Sequence, residues 1–219
     1  MADIRQTVAI LDDFNRADEV PLSGGGNWAE VQIPSTGPLE LDNNTAEPGG
    51  SGSRSSYWTP LTMDNDDCEV WAVPVGGNSP SLAWGIGFLR DAGTSTADGY
   101  LFRSETTTGG GRWRMYKCTN GTYTQMGAEV TPTTLSGGDA GKMVLIRRNG
   151  NDIEGWYDAI DEAPPTFDDF TLIISRTDTD YMTDMYPVLE LFGSDILAWD
   201  NFGAGGRRNR TQIYRWIKN

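Results

Sequence analysis

The chain has 219 residues, with 27 Gly, eight Trp, eight Tyr, seven Phe, two Cys, no His and a formal net charge of −14. That length fits one large β-sandwich as well as two small domains, and a sandwich of this size needs no disulfide staples. The missing His, together with the lack of any Cys-x-x-Cys pair, excludes zinc and haem sites built on those ligands.

Residues 1–7 show no basic start followed by an apolar run. This predicts synthesis in a host cytoplasm without a secretory signal. No stretch approaches the roughly 18 apolar residues of a membrane span. Helical periodicity is nearly absent, and apolar–polar alternation is everywhere. Residues 68–75 read as a strand with Glu69, Trp71 and Val73 on one face and Cys68, Val70 and Ala72 on the other. Residues 82–89 place Trp84, Ile86 and Phe88 on one face and the nearly bare Ala83, Gly85 and Gly87 on the other. Strands follow at 99–105, 112–117 and 122–126. Next comes a hairpin, 142–148 and 153–157, joined by Asn149-Gly150-Asn151, residues that tolerate the backbone of a tight turn. Strands at 170–175, 186–192 and 196–202 complete the set. Turn signals every 8–15 residues or so suit an antiparallel two-sheet sandwich. Residues 34–56 and 158–169 read as long surface loops. Leu11-Asp12-Asp13-Phe14-Asn15 and Trp199-Asp200-Asn201-Phe202-Gly203 echo each other, which predicts that the first and last strands pair. Cys68 and Cys118 fall in strands, either as two buried thiols or as one disulfide if those strands are neighbours.

Beyond the sandwich, Gly203-Ala204-Gly205-Gly206 reads as a flexible hinge. The last 17 residues carry five basic groups (Arg207, Arg208, Arg210, Arg215 and Lys218) and no acid, leaving 12 basic against 31 acidic residues, a net −19, in residues 1–202. The expected division is a sandwich over 1–203 and a basic C-terminal docking arm over 204–219. Tyr214 and Trp216 serve as the arm's apolar anchors. An acidic body argues against nucleic-acid binding.

Three stretches carry a family resemblance. The opening Asp12-Asp13-Phe14-Asn15-Arg16-Ala17-Asp18 with Gly26-Asn27-Trp28, the hairpin ending in Tyr157-Asp158, and the closing Asp200-Asn201-Phe202 together resemble the concanavalin A-like lectin/glucanase (laminin-G-like) jelly roll of the kind found in phage virion proteins. The resemblance spans about residues 11–203. It implies an all-β, antiparallel two-sheet jelly-roll β-sandwich and a binding or assembly role. Glucanases of that group carry Glu, Asp and Glu at alternate positions of one strand. Here Glu40-Leu41-Asp42 begins the pattern and Asn44 breaks it, so a glycosidase would have to use other carboxylates.

Candidate site residues follow. For glycans, rings that stack on sugar faces and polar groups that hold hydroxyls are Tyr57, Trp58, Trp113, Tyr116 and Tyr123 with Arg112 and Arg114. Arg112, Arg114 and Tyr116 share one strand face, opposite Trp113. For metal, Asp12, Asp13 and Asp200 could meet where the first and last strands join and hold a structural Ca²⁺, as some β-sandwich modules do; no other cofactor is expected. Asp64-Asn65-Asp66-Asp67 has the composition of a calcium loop without its Gly and distal Glu, and reads as a solvated turn. The expected function is a non-enzymatic virion structural protein, a capsid decoration or tail accessory protein arrayed on the particle or forming a homo-oligomer, with other virion proteins as partners. A carbohydrate-binding module for cell-surface or environmental glycans is the first alternative, a glycoside hydrolase the second.

Overall fold

The computed structural model describes residues 10–33, 37–63, 67–76, 83–107, 110–131, 143–158, 170–180, 183–193 and 197–206. Among them there is no helix, and every strand pairing is antiparallel. One seven-stranded sheet runs in the order β10 (Thr122–Gln125), β9 (Gly110–Thr119), β8 (Asp98–Thr107), β7 (Ala83–Arg90), β14 (Met185–Gly193), β5 (Gly52–Trp58), β2 (Trp28–Glu30). The eight-stranded sheet runs β13 (Phe170–Thr177), β12 (Asp152–Asp158), β11 (Met143–Asn149), β6 (Asp67–Gly76), β15 (Leu197–Gly206), β4 (Thr45–Glu47), β3 (Glu40–Asp42), with β1 (Ile10–Asp12) also on β15. The expected all-β, two-sheet architecture is what the chain forms.

Alternation builds the core between the sheets. Trp84, Ile86, Phe88, Phe102, Trp113, Met115, Leu189 and Leu191 face inward from one sheet, and Val70, Ala72, Val144, Ile146, Trp199 and Phe202 face them from the other. Each large side chain buried this way contributes about 1.5–3 kcal/mol. Both sheets also carry apolar groups on their outer faces. Val31, Ile33, Leu89, Ala92, Ala97, Cys118 and Val188 form one satellite cluster on the seven-stranded sheet. Trp71, Val73, Met143, Leu145 and Phe170 form another on the eight-stranded sheet. A strand covered on both faces has no polar side to show, and β6 is accordingly buried along most of its length. Beside that second cluster lies an ion pair with no exposure at either end, Arg147 Nη2 to Glu69 Oε2 at 2.6 Å.

The hairpin forms as expected: Asn149 pairs with Asp152, and Gly150 takes the left-handed backbone (φ 63°) the turn requires. The first and last strands pair, Ile10 with Gly203 and Asp12 with Phe202. Cys68 and Cys118 are free thiols in different sheets, and burial pushes each up to about 12. Two expectations are corrected. Residues 34–56 are not one loop, because β3, β4 and most of β5 lie there; Leu39, Leu41 and Ala46 are buried in the main core among the Gly, Ser and Pro residues. Gly203-Ala204-Gly205-Gly206 is not a hinge: it continues β15, paired residue by residue with Trp71, Val70, Glu69 and Cys68 of β6. Strand ladders need backbone groups and not side chains, so a glycine run can pair along a long partner strand despite its entropic cost. Residues 64–66, most of the 158–169 stretch and the arm residues Arg207, Arg208, Arg210, Tyr214, Arg215, Trp216 and Lys218 lie outside the described residues.

Candidate functional site

The outer face of the seven-stranded sheet gathers the most chemistry. Strand register lines up its side chains in transverse rows. One row reads Ser55, Glu190, Gly85, Arg103, Arg114, and the next reads Ser53, Phe192, Ala83, Glu105, Arg112. Arg103 and Arg114 face each other directly across β8 and β9, a pairing that would repel if left alone. Glutamates interleave with them. Arg103 Nη2 donates to both oxygens of Glu190 at 2.7 and 2.9 Å. Its Nη1 is 3.8 Å from Glu105. Arg114 Nη1 reaches Glu105 at 2.6 Å and its Nη2 reaches Glu129 at 2.7 Å, while Arg112 lies 3.5 Å from Glu129. The result is a ladder of alternating charge, Glu190, Arg103, Glu105, Arg114, Glu129, Arg112, running from β14 to the segment after β10.

The glycine on β7 makes this possible. A Cβ at Gly85 would lie 2.8 Å from Glu190 Oε2 and 3.2 Å from Leu101 Cδ1. The bare strand thus lets Arg103 reach over it to Glu190, which also accepts from Ser53 at 2.9 Å. Tyr116 closes the ladder from the side. Its ring lies 5.1 Å below the Arg103 guanidinium, and its hydroxyl donates to Glu105 at 3.3 Å. Burial opposes the charge of Arg103, and Glu190 overrides it, holding the guanidinium above its usual range. The Arg114 hydrogen bond holds Glu129 below the usual carboxylate range. Phe192, 44% exposed, supplies an open ring between Ser53 and Ala83 in the second row.

The expected glycan residues divide three ways. Arg112, Arg114 and Tyr116 share one face, as their spacing predicts, and belong to the ladder. Tyr57 and Tyr123 are half-buried against the outer apolar cluster, Tyr57 edge-on to Tyr186 at 5.3 Å and Tyr123 edge-on to Tyr116 at 6.3 Å. Trp58 is a correction. Only 8% exposed, it packs in the main core against Trp28 (5.2 Å) and Phe202 (6.1 Å). Neighbours in a strand point to opposite faces, so Tyr57 and Trp58 cannot share a platform. Trp113 is also in the core, stacked on Phe102 at 4.8 Å. Glu40 and Asp42 sit in the β3–β4 hairpin at the edge of the other sheet. Arg103, Glu105, Glu129, Glu190 and Phe192 were missed. A signal for two of them existed: Arg103-x-Glu105 and Arg112-x-Arg114 flank one Gly- and Thr-rich turn.

The expected metal set is split. Asp12 is buried, and its oxygens are engaged: Oδ1 accepts from Phe14 N (2.8 Å) and Arg16 (2.6 Å), and Oδ2 accepts from Trp28 Nε1 (2.7 Å). It anchors the turn after β1. Asp13 and Asp200 do come together, lining an open polar depression of ≈ 440 Å³ with Asn15, Asn43, Asn44, Thr45 and Asn201. Its carboxylate, amide and hydroxyl oxygens are hard donors of the kind Ca²⁺ takes. No group of three or more acidic, His or Cys side chains that could hold a metal occurs among the described residues.

No family model matches the sequence, and no curated protein matches it. Solved structures do. The chain is similar to the VIP36 exoplasmic/lumenal domain in its Ca²⁺/Man3GlcNAc-bound form, with a TM-score of 0.59, 12% identity and coverage of 86% of this chain and 87% of that one. It is similar to the CBM2 module of the evolved Dit of Lactobacillus casei BL23 phage J-1 (TM-score 0.54, 10% identity, 92% and 96% covered). It is also similar to the catalytic domain of an endo-1,3-β-glucanase (laminarinase) from Thermotoga petrophila RKU-1 (TM-score 0.55, 8% identity, 92% and 99% covered). The chain carries the concanavalin A-like jelly-roll fold, which lectins, carbohydrate-binding modules and glycoside hydrolases share.

Proposed function

We propose that the chain is a non-enzymatic, glycan-binding accessory protein of a phage virion. In this reading its basic residues 207–219 dock on capsid or tail subunits, and the sandwich is displayed outward, arrayed or as a homo-oligomer. The observation that carries the binding role is the ladder itself. A glycosidase needs one carboxyl group that keeps its proton and a second that attacks or activates water. Each glutamate of the ladder instead has its oxygens engaged by arginine N–H donors. Carboxylates and guanidinium groups fixed in this way, with Tyr116 and Phe192 beside them, suit the recognition of hydroxyls. The virion setting is supported by the end-to-end likeness to the phage J-1 module, and by a body acidic enough to keep crowded copies apart in solution. A calcium ion between Asp13 and Asp200 would tie β1, β15 and the β3–β4 turn together and take no part in glycan recognition.

The test has two arms. The full-length protein and a version ending at Gly206 are each mixed with virions lacking the protein and pelleted; only the full-length chain should co-sediment. Both are then applied to a glycan array and to a reducing-sugar release assay, with binding expected from both and release from neither. Failure of the full-length chain to pellet would sink the docking assignment. Sugar release that Glu105→Gln or Glu190→Gln abolishes would sink the non-enzymatic one.

A further inference from the structure

We infer that the glycan taken by the ladder is uncharged. This rests on the glycan-binding reading above and narrows it to a substrate class. The argument is one of charge count and hydrogen-bonding capacity. The ladder holds three glutamates and three arginines in strict alternation and is neutral as a unit. Around it the body is strongly acidic, −19 over residues 1–202. A uronate, sialate or phosphate-bearing polymer would therefore be repelled on approach. On arrival it would find each guanidinium already facing a carboxylate, so binding would mean competing with Glu190, Glu105 or Glu129 for the same N–H donors. Glu190, 1% exposed and bonded to both Arg103 and Ser53, cannot turn away to make room.

A neutral sugar meets no such conflict. Each hydroxyl both donates and accepts, and the ladder offers acceptors and donors by turns along one line. The lone pairs that the arginines leave open on Glu105 and Glu129 accept sugar O–H groups. The half-exposed Arg112 donates back (side chain 42% exposed). Phe192 lies one strand beyond Ala83 in the same row and gives a sugar face an aromatic surface on which to rest. Because neither ligand nor ladder carries net charge, added salt has little to screen.

The experiment is affinity electrophoresis of the full chain in gels holding one neutral polymer (a mannan, a β-glucan or a galactan) or one anionic polymer (alginate, polygalacturonate or a teichoic acid), at low and at about 0.3 M salt. The expected result is retardation by at least one neutral polymer, changed less than twofold by salt, and none by the anionic set. Glu129→Gln, at a half-exposed position, turns the ladder net positive and should bring on weak, salt-sensitive retardation by the anionic polymers. Retardation of the unmodified chain by anionic polymers alone, or a tenfold loss of neutral binding with salt, overturns the inference and leaves the glycan-binding reading standing. Retardation by none of the polymers overturns both.

Discussion

Arg103 is held from three sides, by Glu190 across a bare glycine, by Glu105 two residues along its own strand and by the Tyr116 ring. Replacing it by Met leaves the Glu190 carboxylate buried without its cation. The expected loss is about 3 kcal/mol, read as a fall in the urea midpoint with an unchanged slope; the conservative Arg103→Lys should recover only part of it, since a single ammonium cannot span Glu190 and Glu105 as the guanidinium fork does. Trp58→Ala should cost about 3–5 kcal/mol as a core truncation. A normal stability for that variant would show that Trp58 does not carry the packing ascribed to it. At the opposite corner, burial alone would raise Glu19, but hydrogen bonds from Arg16 and from the Gly24 and Ser23 amides bring it down to about 2 from 4.5. A depressed carboxylate stabilises the folded state fully above its unfolded value and progressively less below it. Stability should therefore hold down to about pH 4.5 and fall between there and pH 2, with Glu19 contributing on the order of 1 kcal/mol after solvent screening; Glu19→Gln should flatten that slope. At this scale the sequence showed which residues share a face and not which strands are neighbours. Arg112, Arg114 and Tyr116 follow from alternation alone. The ladder's far end does not: Glu190 arrives from β14, 87 positions from its partner Arg103, and no local period carries that register.

Strands were the most readable level. The β11–β12 hairpin is written in its apolar alternation and its Asn-Gly turn, and β7 declares its two faces by placing Trp, Ile and Phe against Ala and Gly. The misreadings share one cause, that Gly, Ser and Pro mark turns on average but also serve wherever side chains must be small. Gly155 shows the second use. A Cβ there would lie 2.4 Å from the Phe102 ring, so β12 carries glycine where that ring packs down on it. Gly155→Ala should thus destabilise although β-strands tolerate alanine, whereas the same change at the open Gly150 fails for its backbone angle instead. The run from Gly203 to Gly206 belongs to the first kind of error, read as a hinge because it has no side chains to pattern. Its ladder with β6 predicts a measurable difference between two shortened chains. One ending at Phe202 should melt several degrees below one ending at Gly206, because four residues of a central strand are lost. Equal melting temperatures by calorimetry would return that run to the status of a linker.

The whole molecule depends on pairings between distant parts of the chain. Arg148, fully buried over the Tyr100 ring, pins the carbonyls of Asp178 and Asp180, and Lys117 bridges the carboxylates of the same two residues. The mouth of the sandwich is therefore closed by groups from β8, β9, β11 and the β13–β14 connection together. The Asp13–Asp200 depression is the corresponding junction for β1, β15 and the β3–β4 turn. Calcium at about 100 times its Kd should raise the melting temperature by roughly 5–10 °C relative to chelator, and Asp200→Asn should abolish the rise. An identical melting curve with and without the ion would remove calcium from the account.

The first and last strands lie side by side in the eight-stranded sheet, whereas the ladder lies on the far side of the seven-stranded one. A partner that gripped the protein by the outer face of the eight-stranded sheet would hold it by its back. The sandwich then acts as a spacer with a fixed polarity: two sheets of thickness stand between the point of attachment and the side chains turned to the surroundings. Such a body, crowded on a surface copy beside copy, would leave every ladder uncovered.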